Sequence, residues 1–190
     1  MWRTTVDIER NWASVMAIAD TQAHLAQFSR PHNWNDPDML QAGNPGLTAE
    51  EEATHFALWC FFAAPLMAGH DPRTMTESVQ KLITNEPLLA IDQDVLGQAA
   101  VRTQPMPEVD VWSRPLNNGE AWLIVNKTEQ ALQVIHHNGQ RRLNNTALAT
   151  IPTAARVLPL RGGEKIALAP ESTREIPAHG CLPIIHQIQE

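Results

Sequence analysis

Trp34-Asn35-Asp36-Pro37-Asp38-Met39-Leu40, continued by Gln41-Ala42-Gly43-Asn44-Pro45-Gly46-Leu47-Thr48, is the stretch on which the reading of this chain turns. Proline fixes φ at Pro37 and confines Asp36 to extended backbone, so the two carboxylates sit on a rigid turn and not on a helix. The residues alone leave two readings open. The turn is either an Asx-rich connector that caps the next element, or a mount for acids that meet a ligand.

Upstream of the turn, Trp2 to Ile8 has β-leaning character and ends near Asp7. Asn11 caps a run with apolar Trp12, Val15, Met16, Ala19, Ala23 and Ala26, the spacing of a helix with one buried face. Ala26 to Trp34 is expected as a short strand that delivers the turn. Downstream, Thr48 and Glu51 form a capping box for a helix carrying Ala53, Phe56, Ala57, Cys60 and Ala64 on one face and closed by Pro65. Leu66 to Gly69 reads as a brief strand before His70-Asp71-Pro72. A last helix opens with a second capping box, Thr74 and Glu77, and presents Met75, Val79, Leu82 and Ile83. Strand and helix therefore alternate to about Gln98, the pattern of βα units around a parallel sheet. Acids fall at the strand ends, which in a (β/α)8 barrel is the face where chemistry is built.

From Ala99 onward the helical period disappears. Val109 to Trp112, Ala121 to Val125, Leu132 to Ile135, Val157 to Leu160, Ile166 to Leu168, Arg174 to Ile176 and Leu182 to Ile185 read as strands. Asn117-Asn118-Gly119, Asn138-Gly139 and Gly162-Gly163 are the turns between them. The expected fold class is α/β plus all-β: a parallel βα part over 1–98 and an antiparallel β-sandwich over 99–190. Three βα units cannot close a barrel, which takes eight units and typically about 250 residues. Open strand edges and uncovered apolar helix faces predict self-association.

Composition narrows the function classes. At 190 residues, with 43% hydrophobic and 18% charged residues, the chain is globular. A net charge of −7 leaves no basic patch for nucleic acid. No apolar run reaches the roughly 20 residues of a membrane span, and the best, Phe56 to Met67, contains Pro65. Cys60 and Cys181 are far apart and the histidines are scattered, so free buried thiols, no metal site and no cofactor are expected. His136 and His137 would point to opposite faces of a strand. Asn126-Lys127-Thr128 and Asn144-Asn145-Thr146 match the glycosylation acceptor pattern. The N-terminus has no leader pattern, and the compartment is not legible from it.

The ordered series Trp2-Arg3-Thr4-Thr5-Val6-Asp7-Ile8, Trp34 to Leu40 and Gly43 to Thr48 resembles glycoside hydrolase family 27, the α-galactosidases and α-N-acetylgalactosaminidases. The resemblance continues through His55 to Cys60, Ala64 to Met67, Ile91 to Gly97, Val111 to Leu116 and Ile176 to Gly180. It implies the C-terminal portion of such an enzyme: barrel strands six to eight, then the whole sandwich. It also implies hydrolysis of terminal α-linked galactosides with retention by two carboxylates, which lie about 5–5.5 Å apart in retaining enzymes.

By resemblance Asp7 matches the acid/base, a role that requires a raised pKa; on the residues alone the favoured reading is that it caps the following helix. Arg3 matches a substrate-holding arginine, Asp38 the acid that accepts hydrogen bonds from galactose hydroxyls, and Met39 a pocket wall. Asp36 and Trp34 are expected to be structural, and the Asp92/Asp94 pair, in the linker after the last helix, is not expected to stand in for a second catalytic carboxylate. The resemblance places the nucleophilic aspartate upstream of Met1, so the chain is expected to carry an acid/base without its partner and to be inactive alone. Three alternatives stay open: a non-catalytic carbohydrate-binding or interaction module, an α-N-acetylgalactosaminidase fragment, and action on β-L-arabinopyranose. The implied full-length enzyme is a secreted or periplasmic one.

Overall fold

The computed structural model describes residues 1–187 apart from 138, 144, 145, 153 and 170. Asn138 of one expected turn and Asn144 and Asn145 of one glycosylation pattern lie outside the described residues.

Two short strands, β1 (Trp2–Arg3) and β2 (Asn35–Asp36), pair in parallel with Trp2 opposite Asn35 and Arg3 opposite Asp36. Leu40 forms a parallel bridge with Ala68, which adds a third parallel segment where Leu66 to Gly69 is expected to be extended. Helix α1 (Trp12–Gln22) connects the first pair, α2 (Ala49–Phe61) connects the second, and α3 (Glu77–Ile83) and α4 (Glu86–Asp92) follow. The alternation is therefore parallel, as the residue pattern requires.

Local chemistry explains where the details differ from expectation. The stretch from Ala26 to Trp34 is not a strand. It holds a 3-10 turn, Ala26–Phe28, and an antiparallel Arg30–Asn33 bridge, and the strand begins only at Asn35. Pro31 has no N–H to give and His32 sits at φ 68°, so neither supports a ladder. Thr76, not Thr74, caps α3, its hydroxyl accepting from the Val79 amide. Thr74 instead ends a 3-10 turn capped by Asp71. The capping box on α2 forms as read: Thr48 accepts from the Glu51 amide at 3.3 Å and Glu51 returns a bond to the Thr48 amide at 2.7 Å.

Helix α2 is buried from Ala53 through Phe61, not on one face only. The reason lies in the second half of the chain. Strands β3 (Val101–Met106), β4 (Val109–Leu116) and β5 (Gly119–Asn126) belong to a six-stranded antiparallel sheet. Its other strands are β9 (Arg156–Val157), β10 (Ile166–Ala167) and β12 (Cys181–Gln187), in the order β10-β9-β12-β5-β4-β3. One face packs Trp112, Ala121, Leu123, Val125, Cys181 and Ile185 into the same core as α2. The opposite face packs Val111, Trp122, Ile124, Leu182 and Ile184 against a four-stranded sheet. That sheet is built from β6 (Leu132–His137), β7 (Gln140–Leu143), β8 (Thr146–Thr150) and β11 (Glu171–Ile176), ordered β11-β6-β7-β8. The arrangement is sandwich-like, with a helical layer behind it. A strand covered on both faces needs no polar alternation, which is why Ala121 to Val125 is apolar at every position.

Polar anchors tie the layers together. Arg114, fully buried, donates to the Cys60 carbonyl and, at 3.2 Å, to the Asp92 carbonyl. The His179 ring stacks on Trp12 at 4.7 Å and lies 2.7 Å from Glu51 and 3.1 Å from Glu129. Asn126, with no exposed surface, donates to the carbonyls of Gln130, Ile176 and Pro177 and accepts from Thr128. The glycosylation pattern at Asn126 is therefore a structural hub: its amide nitrogen is already committed. Cys60 and Cys181 are free and buried, and His136 and His137 face opposite sides of β6.

Candidate active site

At the C-terminal ends of β1 and β2 the chain brings three of the expected residues into one cluster. Arg3 Nη2 donates to Asp7 Oδ1 at 3.0 Å and to Asp38 Oδ2 at 2.6 Å. Asp38 is 5% exposed, whereas the Asp7 carboxylate is fully exposed and the Arg3 side chain is 38% exposed. One guanidinium thus joins a buried acid to an open one, with the open acid on the solvent side. Met39, 40% exposed, adjoins the cluster.

The elements beneath explain why the cluster forms. Trp2 Nε1 donates to Asn35 Oδ1 at 3.0 Å, and Asn35 in turn donates to the Leu25 carbonyl at 2.8 Å, which fixes β1 against β2. Thr4 and Thr5 hydroxyls donate to the Asp36 and Pro37 carbonyls at 2.9 and 3.2 Å. The turn after β2 is held rigid by these bonds, and Asp36 Oδ1 accepts from the Asp38 amide at 2.9 Å. Asp36 is buried and structural in geometry. Asp38 itself stands at φ 89°, a left-handed backbone that a non-glycine residue adopts only when its surroundings over-determine it. Ile8 and Met39 amides donate to its two carboxylate oxygens at 2.6 and 2.7 Å, and Trp59 Nε1 donates to its carbonyl at 2.7 Å.

Neither Trp59 nor the Ile8 amide is identified from the residue pattern. Trp59 falls off the apolar stripe read for α2, and a backbone donor leaves no sequence signal. Gly69 is a third such position: a Cβ there would lie 2.6 Å from both Met39 Sδ and the Leu40 carbonyl oxygen, so only glycine admits Met39 in this pose.

Other acids stay outside the cluster. Asp71 pairs with Arg73 on the surface, and that arginine lowers its pKa. His70 is buried against Gly43 with neither ring nitrogen bonded. Asp92 ends α4 and lines a cleft of about 450 Å³ together with Met1, Pro31, Trp34, Ala64 and Pro65. Those residues precede the parallel segments, so the cleft opens at the end opposite Asp7. Burial pushes the Asp92 carboxyl up to about 7, against smaller opposing effects of Gln93 and Arg114. Asp94 accepts from the Leu96 and Asn117 amides and is a loop anchor. Among the described residues no group of three His, Cys, Asp or Glu side chains is arranged to hold a metal, and no helix is long and apolar enough to cross a membrane.

The arginine–carboxylate cluster lies on the C-terminal ends of parallel strands, the end on which α/β enzymes build their sites, and an antiparallel, sandwich-like pair of sheets backs it. Comparison with known proteins narrows the class. Residues 1–94 match the family model described as Alpha galactosidase A. Alpha-galactosidase 2 of Arabidopsis thaliana is 40% identical over 124 residues, covering 65% of this chain and 31% of that protein. Alpha-N-acetylgalactosaminidase of Gallus gallus is 38% identical over 129 residues, covering 65% of this chain and 32% of that protein. The crystal structure of α-galactosidase I from Mortierella vinacea superposes with a TM-score of 0.82 at 23% identity, over 98% of this chain and 53% of that one, a likeness of fold. The chain belongs to the α-galactosidase family, glycoside hydrolase family 27, as a partial portion of its longer members. It spans about a third of the length of the curated relatives it matches.

Proposed function

We propose that this chain is the C-terminal portion of a retaining glycoside hydrolase that cleaves terminal α-linked galactose. Residues 1–98 form the last three βα units of a (β/α)8 barrel and 99–190 its β-sandwich domain. Asp7 is the acid/base: it protonates the glycosidic oxygen as the bond breaks and then takes a proton from the attacking water. Arg3 and Asp38 bind sugar hydroxyls, and Met39 walls the pocket. The observation that carries this reading is the Arg3 bridge between Asp7 and Asp38. A fixed guanidinium and a buried carboxylate whose remaining lone pairs suit hydroxyl donors make a polyol subsite next to an open, protonatable acid. The nucleophile is supplied by a segment outside this chain, so the 190 residues alone have no turnover.

The rival reading, a sandwich that binds carbohydrate without turnover, calls for exposed aromatic platforms. Trp112 and Trp122 are 0% and 5% exposed and provide none. The test joins this chain in frame to the upstream portion of the Arabidopsis relative and assays p-nitrophenyl α-galactoside and its N-acetylgalactosaminide counterpart. Galactoside turnover by the chimera, abolished by Asp7→Asn and absent from the isolated chain, is expected. Turnover by the isolated chain, lost in Asp7→Asn, would overturn the fragment reading.

A further inference from the structure

We propose that Trp59 and His55, one turn apart on α2, are positioning residues that set the Asp38 carboxylate and so act on sugar affinity through Asp38. The step to affinity rests on the reading of Asp38 as the sugar-binding acid; the positioning itself does not.

Both side chains are fully buried, and a core role alone would explain an indole and an imidazole there only in part. The apolar core needs the area of Trp59 but not its N–H, and that N–H is spent on the carbonyl of the residue at φ 89°. His55 is harder to explain as packing. Its Nε2 accepts from the Gln41 amide at 2.9 Å, so the ring proton resides on Nδ1, which is buried without a partner. A leucine would fill the volume without the unpartnered ring N–H, but it would leave the buried Gln41 amide without its acceptor, so the acceptor is what the ring supplies here. Burial holds the His55 pKa down to about 3, which keeps the ring a neutral acceptor.

The two rings meet edge to face at 4.0 Å and 79°, and together they grip the turn at both ends: a donor to Asp38 O, an acceptor from Gln41 N. Between these grips Leu40 is tied to the third parallel segment through Met67 O at 2.7 Å and Gly69 N at 2.9 Å. The Asp38–Met39 peptide is the unit that would otherwise rotate toward ordinary backbone angles. Its rotation would carry the carboxylate away from Arg3 and the Ile8 amide.

The test is amide hydrogen exchange on the 190-residue chain, read by NMR. Ile8 and Met39, whose amides donate to the Asp38 carboxylate, are the reporters, and Leu123 in β5 monitors the global fold. Trp59→Phe keeps the ring packing and removes the donor. It should speed exchange at Ile8 and Met39 by about tenfold or more while Leu123 is unchanged. His55→Leu should follow it, and His55→Gln, which retains an acceptor, should restore wild-type protection. If Trp59→Phe does not fold, the two His55 variants decide by the same comparison. Unchanged exchange at Ile8 and Met39, or acceleration that includes Leu123, overturns the proposal. Asp38→Asn in the active chimera tests the sugar reading separately: if it leaves galactoside hydrolysis intact while the exchange pattern holds, the link to affinity falls and the positioning stands.

Discussion

Arg3 and Asp38 meet at 2.6 Å although 35 residues separate them, because Arg3 faces Asp36 across a parallel pair and Pro37 carries the chain back over the strand end. The same Arg3 nitrogen also reaches Asp7, so one residue on β1 orients two acids of different exposure. A lysine ammonium can also donate twice from one nitrogen, but it lacks the guanidinium plane that fixes where those N–H bonds point and is a more strongly hydrated point charge, so it holds the two acids less well. In the active chimera, Arg3→Lys should lower kcat/KM by about 100-fold, measured by steady-state kinetics on an aryl α-galactoside, with circular dichroism unchanged.

The left-handed backbone at Asp38 makes a stability prediction that needs no activity. Asp38→Ala and Asp38→Gly both lose the carboxylate bonds, but glycine accepts φ 89° without Cβ strain. Denaturant titration should find the glycine variant more stable than the alanine variant by about 1 kcal/mol, with both below wild type. Equal stability would mean that the turn relaxes in both variants.

Asp92 sets a pH dependence. Burial raises its pKa to about 7 from the ordinary aspartate value of 3.8, so the native state holds the proton more tightly than the unfolded chain. Stability should therefore fall as pH rises from about 4 to about 7, by up to about 4 kcal/mol once both states are ionised. Asp92→Asn removes the titrating group, and its unfolding free energy measured between pH 4 and pH 8 should lose most of this slope.

Asn126 is the clearest case of a motif claimed by the fold. Expressed in a host that glycosylates secreted proteins, the chain should carry no glycan at Asn126, as read by peptide mass spectrometry. Asn126→Ala should destabilise by about 2–4 kcal/mol, because it leaves several buried carbonyls without a donor.

Exposed Trp2, Val6, Phe28 and Val95, at 47%, 84%, 48% and 72%, all lie in the βα part. The isolated chain should associate in a concentration-dependent way on sedimentation velocity, and Trp2→Lys should shift it toward monomer.

Much of this arrangement was legible before any coordinates. The α2 capping box, the parallel alternation, the apolar strands from Val109 onward and the Arg3/Asp7/Asp38 set all follow from local pattern or family resemblance. The failures are local too. Pro31 and the left-handed His32 broke an expected strand, and Thr76 outcompeted Thr74 as a cap because the intervening 3-10 turn consumed Thr74. Periodicity gives α2 a single apolar face because it registers apolar positions but not what covers the remaining sides.

Residue type and spacing by themselves determined which elements form and which acids are available, since caps, prolines and apolar periods act over a few residues. Only the tertiary structure decided what those acids can do. Whether a carboxylate is buried like Asp38 or open like Asp7, and whether Asn126 is a glycan acceptor or a hub, depends on groups 30 to 50 residues away. Desolvation and hydrogen-bond pairing are properties of the assembled neighbourhood. No single stretch of chain carries them.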